Sequence, residues 1–258
     1  MLTHKITTVV FMSILLMLGL AGIFTEMNVW YFVAVAVLWF FVVSVGSFSI
    51  GSNFHVKAYC SNPREEQNNI ALTFDDGPNE NTLRILDILL KNNTKAAFFC
   101  IGQRIEKHPE IFSRIVDEGH IVGNHSYTHS PLIDFYRTKR MIRELQDTDD
   151  LIEKYSGKKP LFFRPPYGVT NPSIRRALKA TQHIVIGWNI RSLDGILDNK
   201  KIIFNRIISR LSPGAIILLH DTKPETANVL EQLLSYAAKK NFNWVSLEQL
   251  LNLKAYEN

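Results

Sequence analysis

Two long apolar runs open the chain. No side chain is charged from residue 6 to 25 or from 27 to 54, and Glu26 stands alone between the runs. A helix needs roughly 20 residues to cross a bilayer core. Membrane spans are therefore expected at about 6–25 and 29–49, joined by the turn Thr25-Glu26-Met27-Asn28. Trp30 and Tyr31 sit near one end of the second run, as interfacial aromatics do. A cleaved signal peptide is the rival reading. The second run and the thin basic segment before the first, Lys5 alone, count against it. Residues 1–54 are thus expected to form a membrane anchor.

Past residue 54 the pattern changes. The stretch 55–69 is polar, carries Pro63 and reads as a linker. From 70 to 258, strand-like apolar runs fall at 70–75, 96–101, 120–124, 161–164, 183–188, 215–220 and 243–245. Helical stripes lie between them, near 80–92, 109–118, 135–155, 171–181, 200–211, 225–240 and 246–253. In the longest, Met141, Ile142, Leu145, Leu151, Ile152 and Tyr155 recur at helical spacing. Alternation repeated about seven times predicts an α/β fold with a parallel sheet or barrel. In such folds the chemistry gathers at the carboxyl ends of the strands.

Composition narrows the function classes. With 46% hydrophobic and 21% charged residues, the chain is no disordered polymer. The net charge of +5 is spread over polar helical faces, with no basic run rich in aromatics, so nucleic acid is not the expected partner. The basic balance suits a solvated surface facing an anionic membrane or cell wall. Two cysteines, Cys60 and Cys100, exclude a disulfide-stapled scaffold and a four-cysteine zinc site. One bridge between them is open on sequence; Cys100, in the run Ala96-Ala97-Phe98-Phe99-Cys100-Ile101, reads as a buried thiol.

The strand ends carry the chemistry. The first runs into Asp75-Asp76-Gly77-Pro78, and paired carboxylates ending a buried strand are costly unless something positive binds them. A plain turn is the alternative. The third leads to His125-Ser126-Tyr127-Thr128-His129, whose histidines at i and i+4 point the same way if they share a helical turn. With a strand-end carboxylate they make a three-ligand site for zinc or another borderline divalent ion. Arg164-Pro165-Pro166-Tyr167 ends another strand, Trp188 the next, and His220-Asp221 the apolar run 215–219. Five such clusters argue for one polar site at one face.

Together these segments resemble the NodB-type polysaccharide deacetylases, carbohydrate esterase family 4, over roughly residues 70–250. The motifs are Thr73-Phe74-Asp75-Asp76-Gly77-Pro78, His125 to His129, Arg164-Pro165-Pro166-Tyr167 and Leu218-Leu219-His220. The resemblance implies a distorted (β/α) barrel of about seven parallel strands, here preceded by two transmembrane helices, with the catalytic domain at 70–258. It implies Asp75 as general base held by Arg164, and Asp76, His125 and His129 as metal ligands. It also implies the Tyr167 N–H at the oxyanion and His220 as general acid paired with Asp194. Pro166, Tyr167, Trp188 and Leu218 are candidate substrate contacts. One motif departs: Arg191 and Gly195 stand where the family often has Asp and Trp.

The implied activity is hydrolysis of N-acetyl, or O-acetyl, groups on an amino-sugar polysaccharide such as peptidoglycan or a chitin-like glycan. The cofactor is one divalent metal, zinc first, with cobalt, manganese and nickel as alternatives. The rivals are a deacylase or deformylase of a lipid-linked sugar and an inactive sugar-binding membrane module. A glycan substrate places the catalytic domain outside the cytoplasmic membrane. The few flanking charges, Lys5 before the spans and Lys57 and Arg64 after them, favour the inside.

Overall fold

The computed structural model describes residues 2–257. It begins with two helices, α1 (His4–Phe24) and α2 (Val29–Phe48). Each is long and apolar enough to cross a membrane, and little of either is buried. Thr3 caps α1 by accepting the Ile6 N–H, and Asn28 caps α2 by accepting the Trp30 N–H.

The rest alternates strands and helices: β1 (Ala58–Tyr59), β2 (Asn69–Asp75), α3 (Glu80–Lys91), β3 (Ala97–Cys100), α4 (Gly102–Lys107), α5 (Pro109–Asp117), β4 (Ile121–Asn124) and α6 (Thr138–Ser156). Then follow β5 (Phe162–Phe163), α7 (Pro172–Thr181), β6 (Ile184–Ile186), β7 (Ile190–Arg191), α8 (Lys200–Ile208), β8 (Ile216–His220), α9 (Pro224–Lys239), β9 (Asn243–Trp244) and α10 (Leu247–Leu251). The nine strands form one sheet in the order β1-β6-β5-β4-β3-β2-β8-β7, with β9 added beside β2. Every strand pair in it is parallel. Its edges, β1 and β7, do not pair with each other, so the expected distorted barrel is a curled half-barrel.

Alternation along the strands decides what faces where, because successive side chains point to opposite faces. Ile70, Leu72 and Phe74 of β2, Phe98 and Cys100 of β3, and Ile217 and Leu219 of β8 join the core under the outer helices. Ala71, Ala97, Phe99 and Ile216 turn to the concave side, where Leu247 and Leu250 of α10 pack on them. The same parity carries Asp75 and His220 to the concave face. In the sheet register Asp75 lies directly beside His220.

Two expectations need correction, and the open question of a cysteine bridge is answered. The stretch 55–69 is not a free linker: Ala58 and Tyr59 pair with Val185 and Ile186, and Ala58 packs with Ile50, Ile174 and Val185. The run 183–188 breaks after Ile186, and Ile190–Arg191 leaves as its own strand beside β8. These two short strands account for nine rather than about seven. Cys60 and Cys100 are both free thiols.

The two apolar helices are tied to the rest of the chain by backbone hydrogen bonds. The Thr170 N–H donates to the Ser47 carbonyl at 3.0 Å, and the His4 N–H to the Phe54 carbonyl at 2.9 Å. Gly46 fits against the Phe54 ring, which a Cβ would meet at 2.5 Å. Placing a charge at β1 tests its membership of the sheet. Ala58→Glu is expected to destabilise the full chain in detergent by at least about 2 kcal/mol, seen as a lower denaturant midpoint, because it buries an unpaired carboxylate. A solvated linker would leave the midpoint unmoved.

Candidate active site

A cleft of about 300 Å³ opens at the carboxyl ends of the strands, lined by Asp75, Asp76, His125, His129, Trp188 and His220 among others. Its centre is the group Asp76, His125 and His129, whose ligand atoms lie within 4.8 Å of one another. The Asp76 Oδ1 is 3.4 Å from the His125 Nε2 and 3.3 Å from the His129 Nε2. Ligands about 2.1 Å from a tetrahedral metal lie about 3.4 Å apart, so these two spacings fit one ion.

The rest of the geometry prepares that role. The His125 Nδ1 lies 2.7 Å from the Arg164 carbonyl, which can only accept, so a proton is held there and Nε2 is the nitrogen turned to Asp76. Burial and the adjacent His125 push His129 down to about 4, so its ring is neutral at pH 7. Burial pushes the Asp76 carboxyl up, yet the hydrogen bond and charge of His125, with His129, hold it well below the usual carboxylate range. Neutral imidazoles and an ionised carboxylate are the protonation states that bind a divalent cation.

The histidines do not share a helical turn. They sit on an irregular loop in which Ser126 and His129 both adopt positive φ, 65° and 48°. Buried polar groups hold this loop. The Asn124 side chain accepts the Ser126 N–H at 2.8 Å and donates to the Leu145 carbonyl and Asp149. Glu144 of α6 accepts the N–H groups of Tyr127 and Thr128. The i,i+4 spacing therefore brings the rings together through a built turn, with their centroids 4.9 Å apart.

Asp75 and Arg164 form the buried pair beneath. The guanidinium, fully buried, donates from Nη1 to Asp75 at 2.7 Å and to the Thr73 hydroxyl at 2.8 Å. It also donates from Nε to the Ile186 carbonyl and from Nη2 to the Gly187 carbonyl. Burial pulls the Arg164 pKa down and the Asp75 charge pulls it back up. The Phe99 ring stacks below, 4.1 Å from the guanidinium carbon.

His220 faces Asp75 from the next strand. Its Nδ1 lies 2.8 Å from Asp194, which also accepts the His220 N–H and the hydroxyls of Ser192 and Thr226. Burial alone would lower the His220 pKa; the Asp194 bond and the charges of Asp75 and Asp76 push it up to about 9.

The candidate substrate contacts fall in different places around the cleft. Trp188 and Leu218 line the cleft, and Trp188 also packs into the core beneath. Tyr167 lines it at φ 59°, with its hydroxyl 3.4 Å from the His129 carbonyl. Pro166 is buried outside the lining, and Pro165 takes that place. Gly195 leaves the face of His220 open, and Arg191 lines the cleft as an exposed side chain, its carbonyl held by Arg206.

Asp221 was not singled out by the sequence. Fully buried, it accepts the Thr82 hydroxyl at 2.6 Å, while its Oδ1 has no partner among the described residues. Burial, opposed by that hydrogen bond and reinforced by Asp76, pushes it up to about 7. Gly77 fits against it because a Cβ there would meet the carboxylate at 2.0 Å. The only sequence hint is its place after His220, at the end of an apolar strand.

Comparison with known proteins gives the family. The family model for polysaccharide deacetylase matches residues 62–186. The chain is 38% identical over 198 residues to the peptidoglycan-N-acetylmuramic acid deacetylase PdaC of Bacillus subtilis, covering 74% of this chain and 42% of that protein. It is 32% identical to a peptidoglycan-N-acetylglucosamine deacetylase of Bacillus cereus, covering 70% of this chain and 67% of the relative. Among solved structures, the Bc1960 peptidoglycan N-acetylglucosamine deacetylase superposes with a TM-score of 0.72 at 29% identity, covering 78% of this chain and 95% of that one.

Two outcomes follow from the geometry. His125→Ala and Asp76→Ala should each cut the divalent metal content of the purified chain from about one equivalent to less than about a tenth, read by inductively coupled plasma mass spectrometry. Arg164→Ala should destabilise the chain by about 3–5 kcal/mol in denaturant titration, because it strands a buried carboxylate.

Proposed function

The chain belongs to the polysaccharide deacetylase family, hydrolases of amide C–N bonds, and we propose that it removes N-acetyl groups from the amino sugars of a peptidoglycan-type glycan. The observation that carries this reading is the placement of one three-ligand site between two carboxylate-held groups, Asp75–Arg164 and Asp194–His220. The named substrates of the relatives support the glycan class. Arg191 at the cleft wall adds a positive charge that suits a glycan bearing carboxylates, as muramic residues do.

In this reading Asp76, His125 and His129 hold one divalent ion, zinc in preference to cobalt, manganese or nickel, since two imidazoles and a carboxylate are a borderline donor set. When bound, the ion polarises the acyl carbonyl and lowers the pKa of water. Asp75 takes a proton from the attacking water, and the hydrogen bond from Arg164 aims it. The Tyr167 N–H donates to the oxygen that gains charge at the acyl carbon. His220 gives its proton to the departing nitrogen as the C–N bond breaks, so the products are acetate and the free amino sugar. Trp188, Leu218 and Pro165 form an apolar wall for the sugar face.

We place the anchor in 1–54 as two membrane spans and the catalytic domain in 70–258, with Ala58 and Tyr59 of the connecting stretch 55–69 paired into its sheet.

The test is acetate release from purified peptidoglycan by the full chain in detergent. Release should be lost on chelation and restored by zinc. Undiminished release after thorough chelation, or none from any amino-sugar glycan, would sink the reading. His220→Ala should lower kcat about 10²–10⁴-fold. The acid form of His220 is the active one, so the rate should fall as pH rises through its pKa. Asp194→Asn removes what holds that value up, and should move the alkaline limb of the kcat profile to lower pH.

A further inference from the structure

Where the helical hairpin meets the sheet there is a second polar cavity, of about 340 Å³, lined by Thr3, Lys5, Asn53, His55, Lys57 and Arg175 together with Phe54 and Val56. No carboxylate lines it. Among the described residues none of Lys5, Lys57 and Arg175 is paired with an acidic side chain. Lys57 rests over the Tyr59 ring, 4.5 Å from its centroid, which leaves its three donors unclaimed by an acid.

The cavity floor is ordered. The His55 Nε2 lies 2.9 Å from the Ser47 hydroxyl, and the His55 ring lies 4.7 Å from that of His4. The first turn of α1 opens here, and Thr3 both caps it and lines the cavity. A 21-residue helix directs the positive end of its dipole to that point. Burial first, and then the charges of His4 and Arg175, push His55 down to about 4.

The position is as informative as the charge. The cavity sits at the end of the hairpin where α1 begins and just after α2 finishes, with the apolar surfaces of both helices running away from it. In a spanning hairpin this is the depth of the lipid headgroups.

We propose that this cavity binds the phosphate of an anionic phospholipid headgroup. The inference rests on the membrane-spanning reading of α1 and α2 and not on the deacetylase chemistry. Phosphate oxygens are acceptors for Lys5, Lys57 and Arg175, and no acidic group competes for the three cations. A bound headgroup would fix the sheet at one height and tilt over the bilayer.

The test uses the full chain in detergent micelles, titrated with phosphatidylglycerol, phosphatidylethanolamine or inorganic phosphate, with retained lipid counted by native mass spectrometry. Phosphatidylglycerol should be retained preferentially. The triple variant Lys5→Gln, Lys57→Gln, Arg175→Gln should bind it on the order of 100-fold more weakly, at roughly fivefold for each cation. Acetate release from glycan fragments checks that the variant is folded. If it is not, Lys57→Gln and Arg175→Gln are read singly, each with a loss of about fivefold. Unchanged retention in the variants would overturn the proposal. Displacement of the lipid by equimolar inorganic phosphate would overturn the lipid as the source. Release of the chain from membranes by alkaline carbonate would remove the spanning premise, and is read separately from lipid retention.

Discussion

The buried guanidinium of Arg164 is the constraint on which the site depends. Its nitrogens reach Thr73 and Asp75 on β2 and the carbonyls of Ile186 and Gly187 at the end of β6. Its own backbone carbonyl fixes the His125 ring. Two strands and the histidine loop are thereby set against one residue. A lysine could not do this, because a single ammonium lacks the rigid fork that spans four acceptors. The cost of burying the charge is offset by a carboxylate 2.7 Å away and by hydrogen bonds from all three of its nitrogens.

In the cleft and buried behind it lie four acidic side chains: Asp75 and Asp76 on its lining, Asp194 and Asp221 beneath. Each is managed differently. Asp75 is paired with Arg164, Asp76 with two imidazoles, and Asp194 with His220 and two hydroxyls. Asp221 is left with one hydroxyl and is raised toward neutrality. These environments separate the groups that stay ionised from those that hold a proton, which acid–base work needs.

Much of this was legible in the chain because buried parallel strands are continuous apolar runs, and a polar residue closing one stands out. Asp75 and His220 were found in that way. The alternation of Ile70, Ala71, Leu72 and Thr73 also tells which face each would take. The two-residue strand β1 gave no such signal. Ala58 and Tyr59 lie in a polar stretch, and only pairing with β6 makes them a strand. The path from His125 to His129 was equally hidden, since its positive φ angles are supported by Asn124 before the loop and by Glu144 on α6. Pro165 and Pro166 look interchangeable in sequence, and only the turn at Tyr167 decides which one faces the cleft.

Thr170, whose N–H meets the end of α2, comes three residues after Tyr167 at the cleft wall. So short a coupling makes the enzyme a fixed tool rather than one on a leash. With the hairpin embedded as proposed, the cleft cannot sweep through the wall by swinging on a tether. On that reading it samples a plane, carried sideways by diffusion of its own helices, and reaches only what comes close to the bilayer.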